Sequence, residues 1–370
     1  MRSRQRHVPF SQRHIAPLLQ AFPSLGPRLD RWESAAVADD IEVVGPGAPV
    51  WICGMARSGS TILLEILNGL PEFTSHRYSD YPWLWTPYWW NHLQARLPMR
   101  PMPRRERAHR DRIEITRDSP EAFEEIFWMR YFPDRHDPAV DQVLDVATRH
   151  PEFERFFDMH QRKLLAVRGA RRYLAKANYQ LARLGYLHRL YPQARFVIPV
   201  REPLAQVASL IKQDRLFCRL DREDPAVSAH LARIGHYEFG PHKRAFHLGD
   251  ALQTAAITAC FARGALAEGY ARQWLAHYGH ALACMRADAT LVDACLWISY
   301  DRLCANPQTE LERLAVHLAL EDSDCDALVS TWSPRLNRPD YYAPAFAADE
   351  AEKVRELAAP LWAELQSLAS

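Results

Sequence analysis

The segment Gly54-Met55-Ala56-Arg57-Ser58-Gly59-Ser60-Thr61 constrains this chain more than any other. Before it, Val50-Trp51-Ile52-Cys53 is a short apolar run behind the turn residues Pro46-Gly47-Ala48-Pro49, which predicts a buried strand. After it, a helix beginning near Ser60 sets Ile62, Leu63, Ile66, Leu67 and Leu70 along one apolar face, and Pro71 closes it. A glycine-bearing loop between strand and helix turns backbone N–H groups toward an anion at the helix N-terminus. Against the nucleotide-hydrolase pattern G-x-x-x-x-G-K-[ST], both glycines and Thr61 fit. Ser60 stands where the lysine belongs, however, and the cation comes three residues earlier as Arg57. Without that lysine the usual grip on the outer phosphates of ATP is missing. Serine and threonine also cap helices, which is the purely structural use of the same residues.

Two more apolar runs predict strands. Arg195-Phe196-Val197-Ile198-Pro199-Val200 ends in Arg201-Glu202-Pro203, where Pro203 opens a helix ending near Leu216, and Leu296-Trp297-Ile298-Ser299-Tyr300 comes later. Helical segments fall at about 120–131, 152–167, 178–190, 250–280, 307–319, 324–332 and 349–368. Strands separated by helices predict an α/β domain with a parallel sheet. Residues 1–45, with Ile15, Leu18, Leu19 and Phe22 at helical spacing, form an N-terminal helical extension to a domain over 46–370. Residues 98–117, rich in Pro98, Pro101, Pro103 and arginines from Arg100 to Arg117, read as a surface loop inside a helix-rich insertion at about 80–170.

Arg57-Ser58-Gly59-Ser60-Thr61 resembles the 5′-phosphosulfate loop, [RK]-S-G-[TS]-[TS], of sulfotransferases that use 3′-phosphoadenosine 5′-phosphosulfate (PAPS). A second resemblance lies downstream. Tyr191-Pro192-Gln193-Ala194-Arg195-Phe196 leads into a strand, then Arg201-Glu202-Pro203, then Ser209 eight residues after the arginine, which is the form of that family's 3′-phosphate loop. An arginine at a strand's carboxyl end grips a phosphate with two N–H groups, and a helix serine adds a hydroxyl. The resemblance implies a P-loop NTPase-like three-layer α/β/α fold and PAPS as co-substrate without a metal. It also implies that Arg57, Ser58, Gly59, Ser60, Thr61, Arg201 and Ser209 hold the nucleotide. Tyr300, in a stretch similar to the family's Y-E-D-L segment, would lie near the adenine or serve the sheet. Arg335 would stand in a late basic loop.

For the chemistry, Lys176 in Lys176-Ala177-Asn178 resembles a leaving-group lysine in the K-x-P segment of protein-tyrosine and related sulfotransferases, and Arg57 would assist it. Many relatives carry a glutamate base about 21 residues beyond the loop arginine, and here that position is Tyr78. Asp80 and His76 flank it two residues away, on one face of an extended strand, and are the candidate bases. Tyr81, Trp83, Trp85, Tyr88, Trp89 and Trp90 either stack on an anionic carbohydrate with the arginine-rich loop or pack as a lid over the sheet.

Composition narrows the rest. A formal net charge of +1, with 48% hydrophobic and 25% charged residues, argues for a globular protein and against a broad nucleic-acid-binding surface. Seven cysteines without a Cys-x-x-Cys pair suggest neither zinc nor a disulfide framework. The basic start Met1–His7 lacks a following apolar region, and no run of about 18 apolar residues predicts a membrane span, so a cytoplasmic enzyme is expected. Its alanine and arginine content fits a bacterium of high GC. The resemblance thus points to sulfuryl transfer from PAPS to a hydroxyl or amine of a small-molecule or carbohydrate acceptor. Two alternatives stand beside it: a P-loop kinase using ATP, and a PAPS-binding protein without catalysis.

Overall fold

The computed structural model describes residues 8, 11–45, 47–97, 103–337 and 346–369; Pro46, Pro98, Arg100, Pro101 and the basic start Met1–His7 lie outside them. Seven strands are described: β1 Val50–Cys53, β2 Phe73–Thr74, β3 Arg105–Glu106, β4 Glu114–Ile115, β5 Arg172–Ala177, β6 Arg195–Val200 and β7 Cys295–Ser299. Five form a parallel sheet in the order β2-β5-β1-β6-β7, and β3 and β4 make a separate antiparallel hairpin. Alternation along the strands splits the core into the two outer layers. Trp51, Tyr173, Phe196 and Ile198 face helices that include Pro151–Arg168, Pro203–Glu223 and Leu266–Ala287. Ile52, Leu174, Val197 and Ile298 face the helices Ser60–Asn68 and Pro307–Leu318. The expected three-layer α/β/α fold with a central parallel sheet is present.

From β1 the chain runs to β2 on one flank, and β6 and β7 lie on the other. The sheet therefore changes winding direction at β1, and ligands in such sheets bind outside the carboxyl ends of strands at that crevice. β6 pairs with β1 only from Arg195 to Val197, so Pro199 falls where β1 has already turned into its loop and no ladder donor is lost to it. The Cβ that a residue other than glycine would carry at position 54 would lie 2.9 Å from Pro199 Cγ, which is why the first loop residue is glycine.

Several expectations change. β5 reads poorly as a strand in sequence yet sits second in the sheet, buried along its whole length. The segment Tyr78–Asp80 is a 3-10 turn, not a strand, so Asp80 and His76 do not share a strand face. The helix after β6 extends to Glu223, the helical stretch 250–280 divides at Gly264 (φ 78°), and Tyr300 leaves the strand to open the next helix. The 98–117 region is more than a solvated loop. Its described part folds into the hairpin, and Arg107 and Asp111 are buried.

The N-terminal helices are tied to the domain by charge as well as packing. Lys163 Nζ lies 2.6 Å from Asp30 and 2.9 Å from Glu33, with all three side chains buried. Burial pushes both carboxyls up despite that cation. No helix among the described residues is long and apolar enough to cross a membrane.

Candidate active site

The loop after β1 owes its shape to two left-handed residues. Gly59 has φ 103°, and a side chain there would begin 2.5 Å from the Tyr300 ring, so the position admits glycine alone. Arg57 has φ 71°, a conformation that costs a non-glycine residue about 1–3 kcal/mol and that clusters at functional sites. Behind the loop, the helix Ser60–Asn68 presents the unpaired N–H groups of its first turn. Gln206 Nε2 donates to the Ala56 carbonyl at 3.0 Å and Trp274 to Gln206 at 3.1 Å, so the helix after β6 braces the loop from below.

That helix begins with the Arg201-Glu202-Pro203 sequence, and each residue has a separate task. The Glu202 carboxylate caps the helix by accepting from the N–H groups of Leu204 and Ala205, and Pro203 occupies a first-turn position where no donor is needed. Arg201 lies over the Tyr300 ring at 5.0 Å. Its Nε is buried without a hydrogen-bond partner among the described residues. Ser209 accepts from Arg57 Nε at 3.0 Å, joining the second loop's helix to the first loop.

These elements enclose a cavity of about 290 Å³ lined by Arg57, Gly59, Ser60, Thr61, Arg201, Ser209 and Tyr300, with Arg335 at its edge. Ser58 lies just beneath, fully buried, with its N–H turned back to the Met55 carbonyl at 3.3 Å. Arg107, Arg112 and Lys212, which sequence patterns did not single out, add further cations. Asp111 is the carboxylate among them. Arg57 reaches it at 2.7 Å and Arg107 at 2.5 Å. Burial would raise the Asp111 pKa, but the two guanidiniums hold it well below the carboxylate range. Burial weakens the Arg57 cation, and Asp111 offsets part of that loss.

A second cavity of about 400 Å³ adjoins the first, with Arg107 in the wall of both. Glu121, Tyr78, Phe123, His109 and His230 line it. Glu121 accepts from the Ala122 N–H at 2.8 Å. Burial acts to raise its pKa, but Lys176, the Tyr78 hydroxyl and Arg107 bring it below the ordinary value. Lys176, near the carboxyl end of β5, is pushed down by burial and supported by the charges of Glu121 and Glu238. Glu121, more than forty positions after Tyr78 in the chain, meets the Tyr78 hydroxyl. Only the fold brings the two together.

Asp80 and His76 lie elsewhere. Both are 1% exposed and line neither cavity. Asp80 accepts from Arg168 Nη2 with both oxygens at 2.7 Å and from the Arg77 N–H at 2.8 Å. Burial opposes its ionisation, yet His76 and Arg168 lower it to about 2. His76 packs on His160 with the Nε2 atoms 3.1 Å apart, and burial lowers its pKa. An acceptor in either cavity meets neither side chain, so the strand-face argument for a base at Asp80 or His76 does not hold.

Residues 49–237, just over half the chain, match the profile of the sulfotransferase family. The chain belongs to that family. Among solved structures, this sulfotransferase-family chain is similar to sulfotransferase STF9 from Mycobacterium avium, at 12% identity over 90% of this chain and 81% of that one, with a TM-score of 0.51. Sulfotransferase STF1 from Mycobacterium tuberculosis H37Rv aligns at 12% identity over 90% and 81% with a TM-score of 0.48. A sulfotransferase from Alicyclobacillus acidocaldarius aligns at 15% over 87% and 95% with a TM-score of 0.40. At 12% identity the likeness to STF9 speaks for the fold alone. No curated protein matches the chain.

Proposed function

We propose that this sulfotransferase-family enzyme moves a sulfuryl group from PAPS to an acceptor hydroxyl or amine. The observation that carries the proposal is the meeting of two separate anion-binding elements in one cavity, the loop at Arg57–Thr61 and the pair Arg201 and Ser209. A nucleotide with phosphates at both 5′ and 3′ positions needs two such elements, and the unpartnered Nε of Arg201 suits the second phosphate. Arg57 and the first-turn N–H groups of Gly59 to Thr61 would take the phosphosulfate. Tyr300, beside both loops, would take the adenine.

PAPS supplies a sulfuryl group bonded to a phosphate oxygen that leaves readily. The acceptor oxygen bonds to sulfur, the bond from sulfur to the phosphate oxygen breaks, and the acceptor proton passes to a base. Glu121 is the base in this proposal, facing the second cavity in the ionised form. The charge of a bound phosphosulfate offsets that of Arg107 and Lys176, moving the Glu121 pKa toward the working pH. Lys176 and Arg57 stabilise the leaving phosphate, and Arg107 marks the boundary that the sulfuryl group crosses. Of the aromatic residues considered for an anionic carbohydrate, Trp85 is packed against Gly26, Phe127 and Phe156 while Trp89 is 39% exposed, and the proposal here names the acceptor by its hydroxyl or amine alone. The seven cysteines form no disulfide among the described residues, which fits the reducing cytoplasm as the place of reaction.

Calorimetric titration with 3′-phosphoadenosine 5′-phosphate (PAP), and separately with ATP and magnesium, tests the proposal. Tight binding of PAP that is lost in Arg201→Ala is expected. A preference for magnesium–ATP would replace it with a kinase.

A further inference from the structure

A third cavity, of about 340 Å³, lies between the N-terminal helices and the tryptophan-bearing segment. Its lining is mostly apolar, with Leu19 and Leu29 on one side and Trp83, Trp85, Ile126 and Met129 on the other. Phe22 lies at its rim, 57% exposed, and Leu18 on the same stretch is 60% exposed. Exposed apolar side chains around an apolar hollow mark a binding site more often than chance packing.

The hollow is separated from the Glu121 cavity by a layer of packed rings, Tyr81 on one side and Phe123 with His230 on the other. Tyr81 lines the hollow, stacks on Phe123 at 5.3 Å and meets His230 edge-on at 5.5 Å; Phe123 and His230 line the Glu121 cavity. The helix Ala226–Arg233 serves both spaces, with His230 and Leu231 facing one, Ala232 and Arg233 the other. At this junction Arg233 interacts with the Tyr81 hydroxyl, and its Nε is buried without a partner among the described residues.

We infer that the acceptor is an amphipathic alcohol, its hydrocarbon part in this hollow and its hydroxyl at Glu121, with the stacked Tyr81 and Phe123 rings parting to join the two spaces. The inference rests on the sulfuryl-transfer proposal and adds the acceptor's chemical class. Apolar surface in the hollow supplies affinity, Arg233 offers a donor to the oxygen-bearing part where it crosses the partition, and Glu121 takes the proton. A carbohydrate has no hydrocarbon chain to place there.

Two measurements on the full chain test it, and the first needs no co-substrate. A bromine-tagged long-chain primary alcohol should quench the fluorescence of Trp83 and Trp85 saturably. Ala232→Phe, which fills the hollow, should weaken that binding at least tenfold with PAP affinity unchanged. Phe22→Ser at the exposed rim gives a second variant with little risk to folding and should weaken it severalfold. In the second measurement, kcat/KM with PAPS for primary alcohols of four to twelve carbons should climb with chain length, and the climb should vanish in Ala232→Phe. Absence of quenching overturns the inference. So does quenching without chain-length dependence of turnover, which would make the hollow a site unrelated to the acceptor. Failure of PAP to bind, read in its own titration, removes the sulfuryl-transfer proposal and this inference with it, whatever the quenching shows.

Discussion

Arg57 and Arg107 share the carboxylate of Asp111 in a cavity whose other charged lining residues are all cations, so under the proposed function Asp111 competes for the donors that a phosphosulfate would use. An ionised carboxylate there repels the incoming anion and occupies its donors. Asp111→Asn should therefore bind PAP about three- to tenfold more tightly, worth about 0.7–1.4 kcal/mol, in the same calorimetric titration; weaker binding would mean that Asp111 orients the arginines instead. Glu121 and Asp80 separate along another line. Glu121→Gln should lower kcat by about 10²–10⁴ with PAP affinity unchanged. Because the Glu121 carboxyl is depressed, the unloaded enzyme keeps its base ionised below the ordinary value of 4.5, and the acid limb of kcat/KM for the donor should lie under that pH. Asp80→Asn should cost stability with PAP affinity preserved. A carboxyl lowered from 3.8 to about 2 contributes stability on the order of 2 kcal/mol, present above pH 3.8 and lost as pH falls through 2. Thermal melts of both proteins across that range should converge at the acid end. Gly59 was legible in sequence because its backbone geometry and the Tyr300 ring leave no room for a side chain, whereas Arg57, in a left-handed conformation that disfavours it, was legible only through the resemblance of the loop. Glu121 was not, because nothing local distinguishes a half-buried glutamate just after an arginine-rich stretch from a solvated one.

Among elements, β1, β6 and β7 were legible because each is an apolar run bounded by turn residues, and they carry the loops at Arg57, Arg201 and Tyr300. β5 escaped because Arg172-Tyr173-Leu174-Ala175-Lys176-Ala177 places cations on a strand that is buried throughout. Arg172 is tolerated there because it donates to the Ala48 and Leu318 carbonyls at 2.8 and 2.7 Å, acceptors that only the assembled sheet provides. The same logic governs the attachment of the N-terminal helices. Lys163 meets Asp30 and Glu33 in a fully buried cluster, and removing the cation leaves two carboxylates uncompensated. Lys163→Met should cost about 3–5 kcal/mol at neutral pH, which a drop in the melting midpoint would report. Both carboxyls are already raised by burial, so in the variant they protonate readily. The deficit should then shrink as pH falls toward 5, where protonation relieves the buried charge. A deficit independent of pH would locate the loss in packing alone. Limited proteolysis should cut the variant first within the N-terminal helices, which roof the apolar hollow.

At the scale of the whole molecule, a formal charge of +1 conceals a steep internal asymmetry. The cavity between the loops at Arg57 and Arg201 gathers Arg57, Arg107, Arg112, Arg201, Lys212 and Arg335 against the single carboxylate of Asp111, while the apolar hollow beyond Tyr81 holds no carboxylate among its lining residues. Composition could exclude a basic surface spread over the protein but could not reveal this concentration, because chain-wide charge averages over positions that the sheet brings to one crevice. A ligand carrying two phosphates should feel that field strongly. Low-dielectric walls limit screening at the contact, whereas the approach through solvent is screened within about 10 Å at 0.1 M salt. PAP affinity should therefore fall about tenfold between 0.05 and 0.5 M sodium chloride, mostly through a slower association rate in stopped-flow traces. An uncharged long-chain alcohol should show no such loss and bind slightly more tightly, since salt strengthens apolar burial. If both ligands lose affinity in parallel, salt is acting on the fold. Opposite trends would mean that the two ends of the site are recognised by different forces, charge at the crevice of the sheet and apolar burial beneath the N-terminal helices.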